Sequence, residues 1–197
     1  MFEYVFSFSY KHNNTKLLNI PPYQEDYGKL LYNKLCEKYG DIINYKNTSV
    51  GGMNSSWALE NVDENINKYS PDLAIIAFGM NDSDKDGPTF EKKVREIIEA
   101  VREKNELCEF IISATSLPNP KLTDPRAKFN AYQSKYKSCL DLIEKDTKGV
   151  AVADITGVHK YLMEHKRYFD MTSNNVNHPN DFLYRIHAQY FIGMLIN

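Results

Sequence analysis

Residues 72–82 read DLAIIAFGMND, and this stretch decides the fold. Six consecutive apolar residues, Leu73 to Phe78, run without a polar break into Gly79 and the pair Asn81-Asp82. An unbroken apolar run of this length suits a strand covered on both faces, as in a parallel sheet; a half-exposed strand would alternate. Gly, Asn and Asp are loop residues, so the strand is expected to end there. The same short apolar character recurs at FEYVFSF (2–8), IINY (42–45), CEFIISA (108–114) and VAVAD (150–154).

Between these runs the period changes. YGKLLYNKLCEKYG (27–40) places Leu30, Leu31, Leu35 and Tyr39 on one helical face and ends on Gly40. TFEKKVREIIEAVREKN (89–105) repeats the pattern with Phe90, Val94, Ile97, Ile98 and Val101, behind a possible capping residue, Thr89. Further helices are expected at 127–146, 156–166 and 181–196. Strands alternating with helices predict a βαβ series, hence one three-layer α/β/α domain over residues 1–197 with a parallel sheet at its centre. Ligands of such sheets gather beyond the carboxyl ends of the strands, so the residues following each apolar run are where chemistry is expected.

Composition narrows the partners. A net charge of −2, with lysines dispersed along the chain, gives no basic surface for nucleic acid or an anionic membrane. No apolar run approaches a membrane span, and the first residues do not read as a signal peptide. Cys36, Cys108 and Cys139 form neither a zinc spacing nor an even disulfide set, which points to a reduced, cytoplasmic protein. His159, His165 and His187 fall in helical stretches without a metal-binding spacing, and no metal or cofactor is expected.

The residues that follow the runs are Ser9, the segment NTSVGGMNSSW (47–57), the segment GMNDSDKDG (79–87) and, further on, SNNVNHPNDF (173–182) with His178. A serine, a glycine pair, an asparagine and a histidine on one rim fit acyl transfer. A serine hydroxyl needs a base, and histidine has the pKa for it near neutrality. The oxyanion that forms needs donors: the N–H groups of Gly52 and Ser9 and the side-chain amide of Asn81 are the candidates. Asp82 is expected to hold its own loop. His12, three residues past Ser9, is a candidate for the substrate pocket, as are Asn54 and Trp57.

These segments resemble the SGNH hydrolases, the GDSL-type esterases and lipases. DLAIIAFGMND resembles the family's block with the oxyanion asparagine, NTSVGG its glycine block, and NVNHPNDFLYRIHAQ its histidine block. The resemblance implies a flavodoxin-like sheet, Ser9 as nucleophile, His178 as base, and an oxyanion hole of Ser9, Gly52 and Asn81. Two positions depart from the pattern. Ser7-Phe8-Ser9 stands in place of Gly-Asp-Ser, and Asn175 stands where many members carry an aspartate three residues before the histidine. Asn175, a main-chain oxygen or a nearby aspartate would then orient the ring; Asp154, Asp170 and Asp181 are close in sequence but match no family position. The expected function is hydrolysis of a small carboxylic ester, an acetyl group on a carbohydrate being favoured. The alternative, favoured by the altered first block, is a relative that binds a sugar or other ligand without turnover.

Overall fold

The computed structural model describes residues 2–8 as backbone, and residues 25–40, 43–84, 86–121 and 132–196 with side chains. Five strands, β1 (Phe2–Phe8), β2 (Ile43–Asn47), β3 (Leu73–Ala77), β4 (Glu109–Ser113) and β5 (Val150–Ala153), form one sheet in the order β2-β1-β3-β4-β5. Every pairing is parallel. The order reverses between β1 and β3, which makes their carboxyl ends the switch point where an open sheet of this kind leaves a crevice.

The sheet is buried because its strands alternate between two apolar layers. On β3, Ala74 and Ile76 join Phe110, Ile112, Val150 and Val152 in one cluster, beneath α2 (Ser55–Glu60), α3 (Val62–Asn65), α4 (Gly87–Arg102) and α5 (Gln133–Asp146). Leu73 and Ile75 point the other way and join Ile111 and Ala153 beneath α1 (Tyr27–Tyr39) and α7 (Asp181–Leu195). Ile155, the first residue of α6 (Ile155–His165), belongs to this second cluster. This is the three-layer α/β/α arrangement.

The helices begin where short polar side chains satisfy their first free N–H groups. Asp26, Asn54, Asp86, Asp154 and Asn180 cap α1, α2, α4, α6 and α7 in this way. The cap of α4 is Asp86 rather than Thr89, which supplies the capped N–H at 2.8 Å. A carboxylate placed earlier in the chain competes better for that donor than a hydroxyl inside the first turn. The expected helix at 127–146 is seen as α5 from Gln133; residues 122–131 lie outside the described residues.

Candidate active site

The loop leaving β3 is built around one buried carboxylate. Asp82, 1% exposed, accepts hydrogen bonds from the N–H of Gly79 at 2.8 Å and the N–H of Ser55 at 3.1 Å, and also from the Ser55 hydroxyl. Burial pushes its pKa up, while these donors pull it down. Gly79 has φ of +113°, a backbone region that favours glycine. A Cβ there would also press on the Tyr136 ring at 3.3 Å. From α5, Gln133 Nε2 donates to the Met80 carbonyl at 2.7 Å and the Tyr136 hydroxyl to that of Asp84 at 2.9 Å. The loop is thus held from both flanks, with Asn81 exposed at its tip.

Asn81 Nδ2 donates to the carbonyl of Met53 at 3.1 Å. This joins the asparagine loop to the glycine loop, because Gly52 immediately precedes Met53. Gly52 is exposed with φ of +83°, and a Cβ built on it would meet nothing within 4 Å. Its glycine is therefore required by backbone conformation, and the space beside it is open. Asn54 caps α2 through the Trp57 N–H at 3.0 Å, and Trp57 is half-buried against the larger core cluster. Both residues are committed to local structure beside the glycine turn.

The loop carrying His178 is held by its asparagines. Asn174 Oδ1 accepts the N–H groups of Val176, Asn177 and His178 at 2.9, 3.0 and 3.0 Å. The Ser173 N–H donates to the His178 carbonyl at 2.8 Å, and Thr172 bridges Pro179. Asn180 caps α7 and donates to the Asp170 carbonyl at 2.9 Å. Asn175 sits at the exposed turn with φ of +55°, a conformation that asparagine tolerates well. Its carbonyl and Oδ1 receive the Asn119 side-chain amide at 2.9 and 3.3 Å. His178 itself is half-buried. Of the neighbouring aspartates, Asp154 caps α6 at Gly157 and Asp170 forms a two-pronged pair with Arg167.

Behind these loops lies a cavity of about 40 Å³ at the carboxyl ends of β3 and β4. Phe78 and Met80 line it from the asparagine loop, Pro179 from the histidine loop, and Ser116 and His187 from behind. It is the feature that places the neighbours of Asn81 and of His178 around one space. Ser116 Oγ lies 3.2 Å from His187 Nε2, both residues buried. Burial, with repulsion from His159, pushes the His187 pKa down to about 3. His159, fully buried, accepts the Leu117 N–H on Nδ1 at 3.0 Å, and burial lowers its pKa to about 4.

Among the expected site residues, then, Gly52 and Asn81 lie on touching loops, and His178 follows a loop that shares the cavity with the Asn81 loop. Ser9 and His12 lie outside the described residues; Phe8, the last residue of β1, pairs with Ala77. Sequence reasoning missed Asn119, which fastens to Asn175, and Tyr168, whose hydroxyl donates to the Leu117 and Val176 carbonyls; Asn175 and Leu117 lie more than fifty positions from their partners, so no local signal marks them. It passed over Asn174 too, although an asparagine opening a polar loop is a turn signal. Among the described residues no group of His, Cys, Asp and Glu is arranged to hold a metal ion, and no helix is long and apolar enough to cross a membrane.

A parallel sheet in this order between two helix layers, with glycine, asparagine and histidine loops beyond its carboxyl edge, is the three-layer fold of the SGNH hydrolases. Residues 15–186 match the model of the GDSL-like lipase/acylhydrolase family, and the chain belongs to that family. The match begins after Ser9. No curated protein matches the sequence. Among solved structures, the acetylxylan esterase Axe2 from Geobacillus stearothermophilus superposes with a TM-score of 0.78 at 13% identity, over 100% of this chain and 94% of its own. LAE5, an α/β hydrolase from the metagenome of Lake Arreo, Spain, gives a TM-score of 0.75 at 14% identity, over 98% and 94%. At these identities the likeness is one of fold.

Proposed function

We propose that this esterase-family chain hydrolyses a small carboxylic ester, an acetyl group carried by a carbohydrate, through a serine acyl-enzyme. Ser9 is the nucleophile. His178 takes its proton and returns it to the leaving alcohol, and the N–H groups of Ser9 and Gly52 with the Asn81 amide receive the oxyanion. The observation that carries this reading is the contact between Asn81 and Met53 beside Gly52, at the edge where β1 also ends. In the sequence Ser9 directly follows Phe8, whose strand partner Ala77 stands two residues before Gly79. Asn81 spends its amide on Met53 in the free protein, so it must turn to the substrate when the oxyanion forms, or act by holding the glycine turn.

A small acyl group is preferred because the sequence offers no long apolar insertion to cover a fatty chain. Axe2 is an acetylxylan esterase, and catalytic mutants of it replace a serine, an aspartate and a histidine. Here Asn175 supplies no carboxylate, so the imidazolium formed during attack is stabilised less than in an aspartate triad. We read the free thiols of Cys36, Cys108 and Cys139 as those of a reduced, cytoplasmic protein.

Hydrolysis of p-nitrophenyl acetate, compared between the parent, Ser9→Ala and His178→Ala, tests the reading. Both variants are expected to lose activity, and a fluorophosphonate should label Ser9. Ser7-Phe8 in place of the family's Gly-Asp favours the second reading, a ligand-binding relative. Absence of hydrolysis and of labelling, with retained binding of an acetylated xylo-oligosaccharide, would establish that alternative.

A further inference from the structure

The His178 loop is joined to the chain after β4 by contacts that the proposed chemistry does not itself demand. The Asn119 N–H donates to the Val176 carbonyl at 2.9 Å, and its side chain donates to the Asn175 carbonyl at 2.9 Å and approaches Asn175 Oδ1 at 3.3 Å. The Tyr168 hydroxyl sits 2.8 Å from the Leu117 carbonyl and 3.0 Å from that of Val176, so one proton is shared between two strands of chain. Burial raises the pKa of this phenol, which keeps it a donor.

The far side of residues 115–119 is anchored in turn. His159 Nδ1 accepts the Leu117 N–H at 3.0 Å, and the Thr156 hydroxyl donates to the Thr115 carbonyl at 2.7 Å. A continuous path therefore runs from α6 through the chain after β4 to Asn175 and Val176. From there Asn174 Oδ1, which binds the N–H groups of Val176 and His178 alike, carries it to His178.

We propose that Asn119 and Tyr168 are positioning residues for His178, fixing its loop from outside at the very position where the family's orienting carboxylate is replaced by Asn175. This inference rests on the reading of His178 as the base. A carboxylate at residue 175 would orient the ring directly. The backbone of the loop that carries the ring is held by the chain after β4, so the ring's position depends on these contacts. A displacement of about 1 Å at a reacting group costs about 100-fold in rate, so loosening this clamp is expected to act on turnover.

The test uses two uncharged substitutions, Asn119→Ala and Tyr168→Phe, in the full chain. Each is expected to lower kcat for p-nitrophenyl acetate by roughly 10-fold to 100-fold with KM changed less than about twofold. A titration of the His178 ring by NMR, assigned with His178→Ala, reads the environment of the imidazole without reference to activity, and both variants should shift its midpoint. In an active parent, kcat within twofold in both variants overturns the inference, whatever the titration shows. If the parent neither hydrolyses esters nor labels Ser9, the esterase reading fails on its own, and the titration decides: a shift sustains the positioning role, and an unchanged midpoint overturns it.

Discussion

At the scale of single residues, the asparagines around His178 divide the work of a loop among them. Asn174 gathers three N–H groups, Asn180 starts α7, and Asn175 takes a left-handed turn. Asparagine and aspartate both tolerate that conformation, so Asn175→Asp costs little in backbone energy and restores a carboxylate three residues before His178. Its activity on p-nitrophenyl acetate is expected to rise by about 10-fold, well short of the roughly 10⁴-fold lost when a triad aspartate becomes asparagine in a serine protease. An unchanged rate would mean that residue 175 does not reach the ring. Asp82 offers the opposite test. Its carboxylate takes donors from Gly79 and from Ser55 together, and an amide offers one acceptor where two are used. Asp82→Asn should lose about 2–3 kcal/mol in urea unfolding, since buried donors are left unmet. Asp82 was readable as a loop-holding residue, because it follows Gly-Met-Asn at a strand end; the identity of its partner Ser55, 27 positions earlier, was not.

At the scale of elements, legibility tracks burial. The run 72–78 becomes β3 over Leu73–Ala77, 108–114 becomes β4 over Glu109–Ser113, and 150–154 becomes β5 over Val150–Ala153. β2 extends past the apolar run 42–45 to Asn47, because it is the edge strand and its last residues, Lys46 and Asn47, face solvent. Polar residues at an edge carry no strand signal, although the backbone pairs as well there as in the centre. The six-residue α2 was not expected from the sequence, since it is too short to display a period, and Asn54, read there as a pocket residue, is its cap. Two glycines in helices separate packing from propensity. Gly87 opens α4 against α5, and a Cβ on it would lie 2.3 Å from Cys139 Sγ and 3.3 Å from the Lys135 carbonyl. Gly193, exposed on α7, would present its Cβ to open space. Gly87→Ala is expected to destabilise by about 1–3 kcal/mol through overpacking. Gly193→Ala should stabilise by about 0.5–1 kcal/mol through reduced chain entropy. Thermal melts of the two variants read opposite signs, and equal signs would refute the packing argument.

At the scale of the whole molecule, two layers of helix enclose a sheet whose carboxyl edge carries polar groups down to the core. The sequence pattern shows the layers because period and apolarity are local. It does not show that His159 and His187, 28 positions apart and both in helices, end up buried near one another behind that edge. Their burial has a consequence for acid stability whose sign can be worked out. Each ring is neutral in the folded protein until the pH approaches about 4 for His159 and about 3 for His187, against about 6.5 for an exposed ring. Between those values and 6.5 the unfolded chain binds protons that the folded chain refuses, so stability is complete above pH 6.5 and falls as the pH drops. The slope approaches 1.4 kcal/mol per pH unit for each histidine, as an order of magnitude. Asp82 acts in the other sense, because a carboxyl raised by burial holds its proton better when folded, and it offsets part of the loss. Ordinary carboxylates have finished ionising by about pH 5, so the window from 5 to 6.5 isolates the histidines. Urea unfolding at pH 7.0, 6.0 and 5.0 should show stability decreasing at each step. In His187→Gln, where Asp82 contributes as before, the same series should be shallower by close to one proton's slope. A variant with an unchanged slope would mean that His187 is protonated in the fold and that the space beside Ser116 admits charge.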